Sequence, residues 1–372
     1  MQEVEKRVEC QRFSPVTFRI GVDERRIELL RVRVEDAWRR FTSSPVAGIA
    51  ASLEKEVLAT GIYGTHTIEG GDLSEEETSA ILETGKRTAG ANATAVLNLR
   101  SAYEYAGNDA AAADWLLSPQ YICKVHELVT QDLPHEYNRP GEYRDNRKDL
   151  VTRVGNPAYK PPQYIGDIVR CVEGLCTWHA ELAAQGIPAL IRAPLVHYYY
   201  EIIHPFWDGN GRVGRVLEAS ILVHDGMVYA PFAQARYYLD QIDRYFSLFT
   251  ATRQAGKAKR PDANTDFVCF FLEGMLKTIN NLHDRVNHMT KILLFSFRLS
   301  SALRDKTINQ RQFQILKFIQ ENPGLYTRKM LAGMPWYQAL YQKVTDRTLR
   351  RDWLVMDTWL DVTEGHYLYP KI

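Results

Sequence analysis

The sequence predicts a mostly α-helical protein of two or three domains, on three observations. Apolar residues recur at three- and four-residue spacing over long stretches, the period of a helix with one buried face. Strand-like segments stand out in only two places, 150–162 and 358–369. A chain of 372 residues also exceeds what one ordinary hydrophobic core organises.

Taken in chain order, Ser74-Glu75-Glu76-Glu77 is a capping-box pattern, so a helix is expected to begin near Ser74. Leu150–Pro162 reads as β structure folded at Gly155-Asn156-Pro157. Ile168, Val169, Val172, Leu175, Cys176 and Leu182 mark a helix. Leu195, Val196, Tyr199 and Ile202 mark another over Leu190–Ile203. Val213, Val216, Leu217, Ser220 and Ile221 carry a third, expected to stop at Gly226. Ala255–Asn264, rich in Lys, Arg, Gly and Pro, is the linker candidate, and a weaker boundary lies near Asp305-Lys306. Gln312–Ile319 reads as a helix with Phe313, Leu316, Phe318 and Ile319 inward, closed by the turn Asn322-Pro323-Gly324. Thr358–Tyr369 is the last β segment, broken at Glu364-Gly365. No internal repeat or low-complexity tract is present.

Composition narrows the function classes. With 45% hydrophobic and 24% charged residues, most of the chain is expected to fold as an ordinary globular protein. A net charge of +1 excludes a global basic field for nucleic acid, though not a local patch. No run approaches the roughly 20 apolar residues of a membrane span, and the first twenty residues lack the apolar core of a secretory signal. The five cysteines are odd in number and scattered, and Cys171 and Cys176 have neither zinc-type nor redox-type spacing. Buried thiols in a reducing, cytoplasmic compartment are the expectation.

One segment concentrates chemistry: His204-Pro205-Phe206-Trp207-Asp208-Gly209-Asn210-Gly211-Arg212-Val213-Gly214-Arg215. Pro205 prevents smooth helical continuation past His204. The glycines let consecutive N–H groups point at one anion, and a helix starting near Gly211 puts its positive end behind that anion. Asp208, a hard oxygen donor, suits Mg²⁺ shared with phosphate oxygens. Arg212 and Arg215, three apart, share a helix face and can reach successive phosphates. An imidazole titrates near neutrality, so His204 can take a hydroxyl proton during attack on phosphorus. A Gly-Asn-Gly turn alone is usually just a turn and paired arginines usually a solvated face. Together the residue types imply a Mg-nucleotide site.

The string resembles the His-Pro-Phe-x-Asp/Glu-Gly-Asn-Gly-Arg-x-x-Arg motif of the Fic family. Nine fixed positions recur by chance on the order of 10⁻⁹ times in a chain of this length, so the resemblance is specific. It implies a Fic-type helical core and transfer of AMP from ATP to a Ser, Thr or Tyr hydroxyl of a target protein. By the same resemblance His204 is the catalytic base and Asp208 the Mg²⁺ ligand. Gly209, Asn210 and Gly211 hold the α-phosphate region, and Arg212 and Arg215, with Val213 and Gly214 between them, complete the ATP site. Phe206 is a core anchor. The likeness extends to His126 in Ile122–Val129, to Gly141-Glu142-Tyr143-Arg144, and to Thr152–Pro162, which resembles a β-hairpin flap that aligns a target by strand addition. It covers roughly residues 50–255.

Thr65-His66-Thr67-Ile68-Glu69-Gly70 fits the Ser/Thr-x-x-x-Glu-Gly/Asn pattern of the inhibitory helix in many Fic proteins. The resemblance makes Thr65 and Glu69 inhibitory, with Glu69 pairing bidentately with Arg215 and misplacing the triphosphate. Tyr237, Gln241 and Tyr245 match the region that holds adenosine, with Gln241 standing where close relatives carry Asn. Tyr198-Tyr199-Tyr200, at helical spacing, is expected to be core and flank rather than an acceptor cluster.

The C-terminal residues resemble a winged helix-turn-helix, with Thr345–Leu354 as recognition helix and Thr358–Tyr369 as wing. Arg347, Arg350 and Arg351 would face phosphates, while Asp346, Asp352, Asp357 and Asp361 dilute the charge. DNA contact and burial against protein both stay open. The expected organisation is a helical, inhibitory region over 1–95, a Fic core over 96–255, a helical connector over 256–305 and a winged-helix domain over 306–372. A homodimer is expected by analogy. Two alternatives use the same residues: a hydrolase that removes AMP from a modified target with Glu69 positioning water, and a DNA-binding regulator with the core as nucleotide sensor.

Overall fold

The computed structural model describes residues 4–43, 54–86, 90–145, 150–155 and 158–371. Asn156 and Pro157 of the expected turn lie outside them. The chain is mostly helical and divides into two units, Met1–His283 and Asp284–Ile372. Among the described residues no helix is long and apolar enough to cross a membrane.

The first unit opens with a hairpin absent from the expectations, β1 (Lys6–Val8) and β2 (Val16–Phe18), antiparallel with Arg7 opposite Thr17. It forms because Val16, Phe18 and Ile20 alternate inward while flanking residues face water. The hairpin seats on α6 (Ile165–Ala184): a β-carbon on Gly174 would strike the Val8 side chain and lie 3.3 Å from Phe18, which stacks on Trp178. The alternation was visible in the sequence but spans only three residues a strand.

The preceding helices are α1 (Glu24–Ser43), α2 (Glu54–Ile68), α3 (Glu75–Thr84), α4 (Ala91–Asp109) and α5 (Pro119–Thr130). Ser74 caps α3 with both capping-box bonds. At the centre lie α7 (Ala189–Ile203) and α8 (Asn210–His224), buried on nearly every face. The Tyr198, Tyr199 and Tyr200 side chains are all buried in α7. Then come α9 (Ala230–Asp240), α10 (Ile242–Lys257) and α11 (Thr265–Arg304). Glycine lets α2 lie against the α9 backbone: a β-carbon on Gly64 would be 2.7 Å from the Ala235 carbonyl carbon. That seam, with Thr65 Oγ1 bonded to Tyr103 Oη at 3.0 Å, sets where the end of α2 delivers Glu69.

Two boundaries are corrected. Ala255–Asn264 is not a linker: Asn264 is buried, and its side-chain amide donates to the carbonyls of Arg19 and Ile20 at 3.0 and 2.9 Å. Residues 256–305 are not simply a connector either, since Phe267, Phe270, Phe271, Met275 and Ile279 of α11 are core residues. The boundary between units falls within α11, where composition gave no sign.

The second unit continues with α12 (Gln310–Glu321), α13 (Arg328–Ala332), α14 (Pro335–Tyr341), α15 (Asp346–Met356) and the hairpin β3 (Leu360–Val362)–β4 (Leu368–Pro370). Its core gathers Phe295, Leu299, Ile315, Leu316, Ile319 and Met356. Asp357 offsets a surface cation as expected, but Asp352 does so from the interior. Asp352 is buried and bonded to Arg311, while Asp357 is paired with Arg328. The cysteines are free thiols, three buried and two half-buried, with Cys10 and Cys171 sulfurs 3.6 Å apart.

Candidate active site

α7 ends at Ile203, and His204 follows in the left-handed region (φ 49°, ψ 62°), which L side chains visit sparingly. The surroundings hold it there. Arg144, fully buried, donates from Nε to the His204 carbonyl at 2.7 Å and from its guanidinium to the Pro162 carbonyl. Its own N–H donates to the Pro205 carbonyl at 2.9 Å. Burial pushes this guanidinium down to about 10. The segment 141–144 therefore grips the backbone that carries His204.

Beneath the loop, Phe206 stacks on His126 with ring centroids 3.6 Å apart. His126 Nδ1 accepts the Gly141 N–H at 2.9 Å, so Nε2 is the donor to the Asp208 carbonyl at 3.1 Å. Burial drives this imidazole down to about 4, which keeps it neutral and makes it a brace. Asn210 closes the loop on itself: its Oδ1 accepts the Phe206 N–H at 3.0 Å, and its Nδ2 donates to the Phe206 carbonyl at 2.9 Å. Gly209 has φ +77°, and a β-carbon there would lie 2.7 Å from Thr130 Cγ2, so the position demands glycine twice over.

The first N–H groups of α8 have no helical carbonyl to bond, and they share that end with the positive pole of the helix. A carboxylate already sits there. A β-carbon on Gly211 would collide with Glu69 Oε1 and lie 3.3 Å from Arg215 Nη1. Arg215 Nη2 donates to Glu69 Oε1 at 2.5 Å, and Nη1 donates to Tyr245 Oη at 3.3 Å. The pairing is a single hydrogen bond, not the expected bidentate fork. Burial would depress the Arg215 guanidinium, but Glu69 and Tyr245 raise it on balance, so it stays a cation. Behind it, Tyr245 Oη lies 3.1 Å from His197 Nε2, and His197 Nδ1 lies 2.8 Å from Glu218 Oε2.

A residue the sequence analysis missed completes the arrangement. Glu201 Oε2 lies 3.2 Å from His204 Nδ1. Burial would raise the Glu201 carboxyl, but His204, foremost through its hydrogen bond, with His197 and Arg215 beyond, holds it below its ordinary range. An ionised carboxylate only accepts, so Nδ1 carries the proton and Nε2 is left basic. Glu201 Oε1 and Arg215 Nε are buried without partners among the described residues. The signal was available: a glutamate three residues before the histidine stands within one turn of it, at the end of the helix.

These groups border one cavity of about 940 Å³, lined among others by Glu69, Glu201, His204, Arg215, Tyr245 and Tyr159. Tyr159 pairs with Val154 through both backbone bonds, at 2.7 and 2.8 Å, the described part of the expected flap. Other expected residues stand elsewhere. Val213 is core, its N–H bonded to the Gly209 carbonyl at 2.9 Å. Gly214 serves helix packing, since a β-carbon there would lie 2.8 Å from His197 Cδ2. Gln241 is exposed at the break between α9 and α10, its amide turned to the Asp240 carbonyl at 3.1 Å. That break removes it from the face that carries Tyr245 into the cavity. Thr65 anchors α2 and does not line the cavity.

Asp208 is paired with Arg212 at 2.6 Å, and Arg212 also donates to the Val129 carbonyl at 3.0 Å. Burial would raise the Asp208 carboxyl, but Arg212 holds it below its ordinary range, so it is an anion, and its side chain is 35% exposed. Among the described residues no group of three or more His, Cys, Asp or Glu could cage a metal. One reachable carboxylate still fits Mg²⁺, which completes its shell from phosphates and water.

Residues 116–222 match the profile of the Fic/DOC family. The chain carries a Fic domain. Protein adenylyltransferase fic-1 of Caenorhabditis elegans is 30% identical over 187 residues, 48% of this chain and 34% of that protein. A probable protein adenylyltransferase of Aquifex aeolicus is 29% identical over 114 residues, 31% of this chain and 33% of that protein. The chain thus spans about a third of the length of these curated relatives. A Fic family protein from Desulfovibrio desulfuricans G20 superposes with a TM-score of 0.56 at 20% identity, covering 93% of this chain and 96% of that one. For a solved fic-1 fragment from C. elegans the values are 0.54 and 21%, over 72% and 73%. At these identities the structures speak for the fold alone.

Proposed function

We propose that this chain transfers AMP from ATP to a Ser, Thr or Tyr hydroxyl of a target protein, and that Glu69 restrains the transfer. The observation that carries the reading is the Glu69–Arg215 bond at the first turn of α8, in the cavity that His204 borders. Relatives named as protein adenylyltransferases support the reaction class. In the reaction His204 Nε2 takes the hydroxyl proton as that oxygen attacks the α-phosphorus. The bond from the α-phosphorus to the bridging oxygen breaks, and pyrophosphate leaves with its electron pair. Glu201 holds the imidazole in the basic tautomer. Gly209 and Gly211 let the α8 N-terminus approach phosphate, and Arg215 meets the leaving charge once Glu69 withdraws. Asp208 would hold Mg²⁺, which supplies further charge neutralisation when bound.

The test is intact-mass and peptide spectrometry after incubation with Mg-ATP. An added AMP that rises in Glu69→Gly and vanishes in His204→Ala is the expected result. An unchanged rate in Glu69→Gly at saturating ATP overturns the restraint, and AMP addition surviving in His204→Ala overturns the base.

A second reading shares the site. Glu69 lines the cavity with its side chain 28% exposed, so it is also placed to position water for removal of AMP from a modified target. Mg-dependent AMP release that requires Glu69 favours this hydrolase. For the second unit, the exposed Arg347, Arg350 and Arg351 on α15 and the hairpin after it support a winged-helix reading with DNA as partner. Preference for specific over random duplex, weakening with salt, tests it.

A further inference from the structure

A second cavity, of about 740 Å³, shares Tyr159, Ile202 and Arg253 with the catalytic one. Its walls come from the N-terminal hairpin, the 158–160 segment, α7 and the end of α10. Its charge is lopsided. Arg19, Lys160, Arg253, Lys257 and Lys259 line it against one carboxylate, Glu5, in a chain whose net charge is only +1. None of the five cations pairs with a carboxylate among the described residues. Other cations of the same unit do sit on carboxylates, as in Lys6–Glu181, Arg26–Asp266 and Arg244–Glu273. Within the groove five cations face a single carboxylate.

Its construction also suits a peptide. Arg253 lies over the Tyr159 ring at 4.8 Å, on the shared wall. Arg19 Nη2 reaches to 3.9 Å from where a β-carbon on Gly256 would sit, so the hairpin's cation spans to α10 over a residue without a side chain. Phe13, Pro15 and Val16 supply apolar wall between the charges. Among the described residues the Tyr159 backbone bonds Val154 alone, and Lys160 next to it faces solvent beside the cavity where a hydroxyl would meet His204.

We infer that this groove docks an acidic segment of the target protein, flanking the residue that receives AMP. The inference rests on the adenylyltransfer reading for the identity of its occupant, but its charge argument does not depend on it. Unscreened cations around a low-dielectric cleft concentrate an anionic chain, and salt weakens that attraction. A single-stranded nucleic acid offers the same charge, but the apolar residues among the cations and the adjoining cavity, where AMP would pass to a hydroxyl, favour peptide.

The test uses the full chain and three dye-labelled probes followed by fluorescence anisotropy. The probes are an Asp/Glu-rich peptide with a central Ser and Tyr, the same peptide with Asn/Gln, and an oligodeoxythymidine of matched charge. The proteins are wild type and K160E/K257E/K259E, all exposed positions outside the catalytic cavity. The acidic peptide is expected to bind the wild type at least about tenfold more tightly than the neutral one. It should lose about tenfold or more in the triple variant, while ATP affinity and melting temperature stay unchanged. Equal binding of acidic and neutral peptides, or an unaffected triple variant, overturns the inference; so does tighter binding of the oligonucleotide. Because binding is read without turnover, absence of AMP transfer would count against the proposed reaction and leave this result standing.

Discussion

Two carboxylates deep in different units of this chain are treated in opposite ways. Asp352, almost wholly buried in the second unit, is saturated. Its Oδ1 accepts from Asn309 and Gln312 at 2.9 and 3.1 Å, and its Oδ2 accepts from Arg311 Nε and Tyr341 at 3.0 and 3.3 Å. Glu201, in the first unit, has one oxygen on His204 at 3.2 Å and the other without a partner among the described residues. A buried charge that only holds a fold together is surrounded by donors, because each unmade bond costs stability. A half-satisfied charge next to a base is arranged for a different end: its one hydrogen bond is made to that base. The same contrast separates His126, stacked and bonded at both nitrogens, from His204, anchored at one.

The contrast breaks if the two carboxylates respond alike to substitution. Asp352→Ala leaves Arg311 and its companions without their acceptor and should cost the second unit about 3–5 kcal/mol, read as a lowered unfolding transition. AMP transfer by the first unit should be untouched at temperatures below that transition. Glu201→Gln should do the reverse. We expect kcat to fall on the order of tenfold to a hundredfold, with KM for ATP and the melting temperature unchanged. A shifted KM or a melting loss as large as that of Asp352→Ala would show Glu201 to be another structural anion.

A smaller effect sharpens the comparison through the buried histidines. Burial pushes His126 down to about 4 and His179 to about 3, so the folded chain takes up these protons only in acid. The unfolded chain takes them up near the ordinary value of roughly 6.5. Their contribution is therefore complete above that value and is lost as pH falls toward the folded values. One unit below the ordinary value, each should have cost about 1 kcal/mol. Urea midpoints measured from neutral pH downward should fall accordingly, and His126→Gln should flatten part of the slope. A midpoint independent of pH in that window would mean that these rings are not neutral braces.

Much of this could be read from the residues. The helical periods at 168–182, 190–203 and 213–221 correspond to α6, α7 and α8, because apolar residues repeating near 3.6 over that length have few other uses, even where, as in α7 and α8, nearly every face is buried. The string from His204 to Arg215 announced a tight turn into a helix, since its proline and glycines have local reasons to stand in that order. Position along the string did not announce duty. Val213 and Gly214 lie within it, yet Val213 is a core residue and Gly214 lets α8 approach His197 of α7, while Gln241 falls at a helix break. The short hairpin 6–18 escaped notice because its stability comes from Trp178 and Gly174, far along the chain.

The sequence by itself thus determined the helical character and the turn at 204–215, both set by backbone preferences within a few residues, whereas Gly209 is demanded also by Thr130 on α5. Only the tertiary structure decided which charges meet. That Glu69 reaches Arg215 across 146 positions, that Glu201 turns to His204, and that five cations from distant segments share one groove depend on how helices pack. Electrostatic interactions act through space, and the order of residues along a chain does not record distances through space.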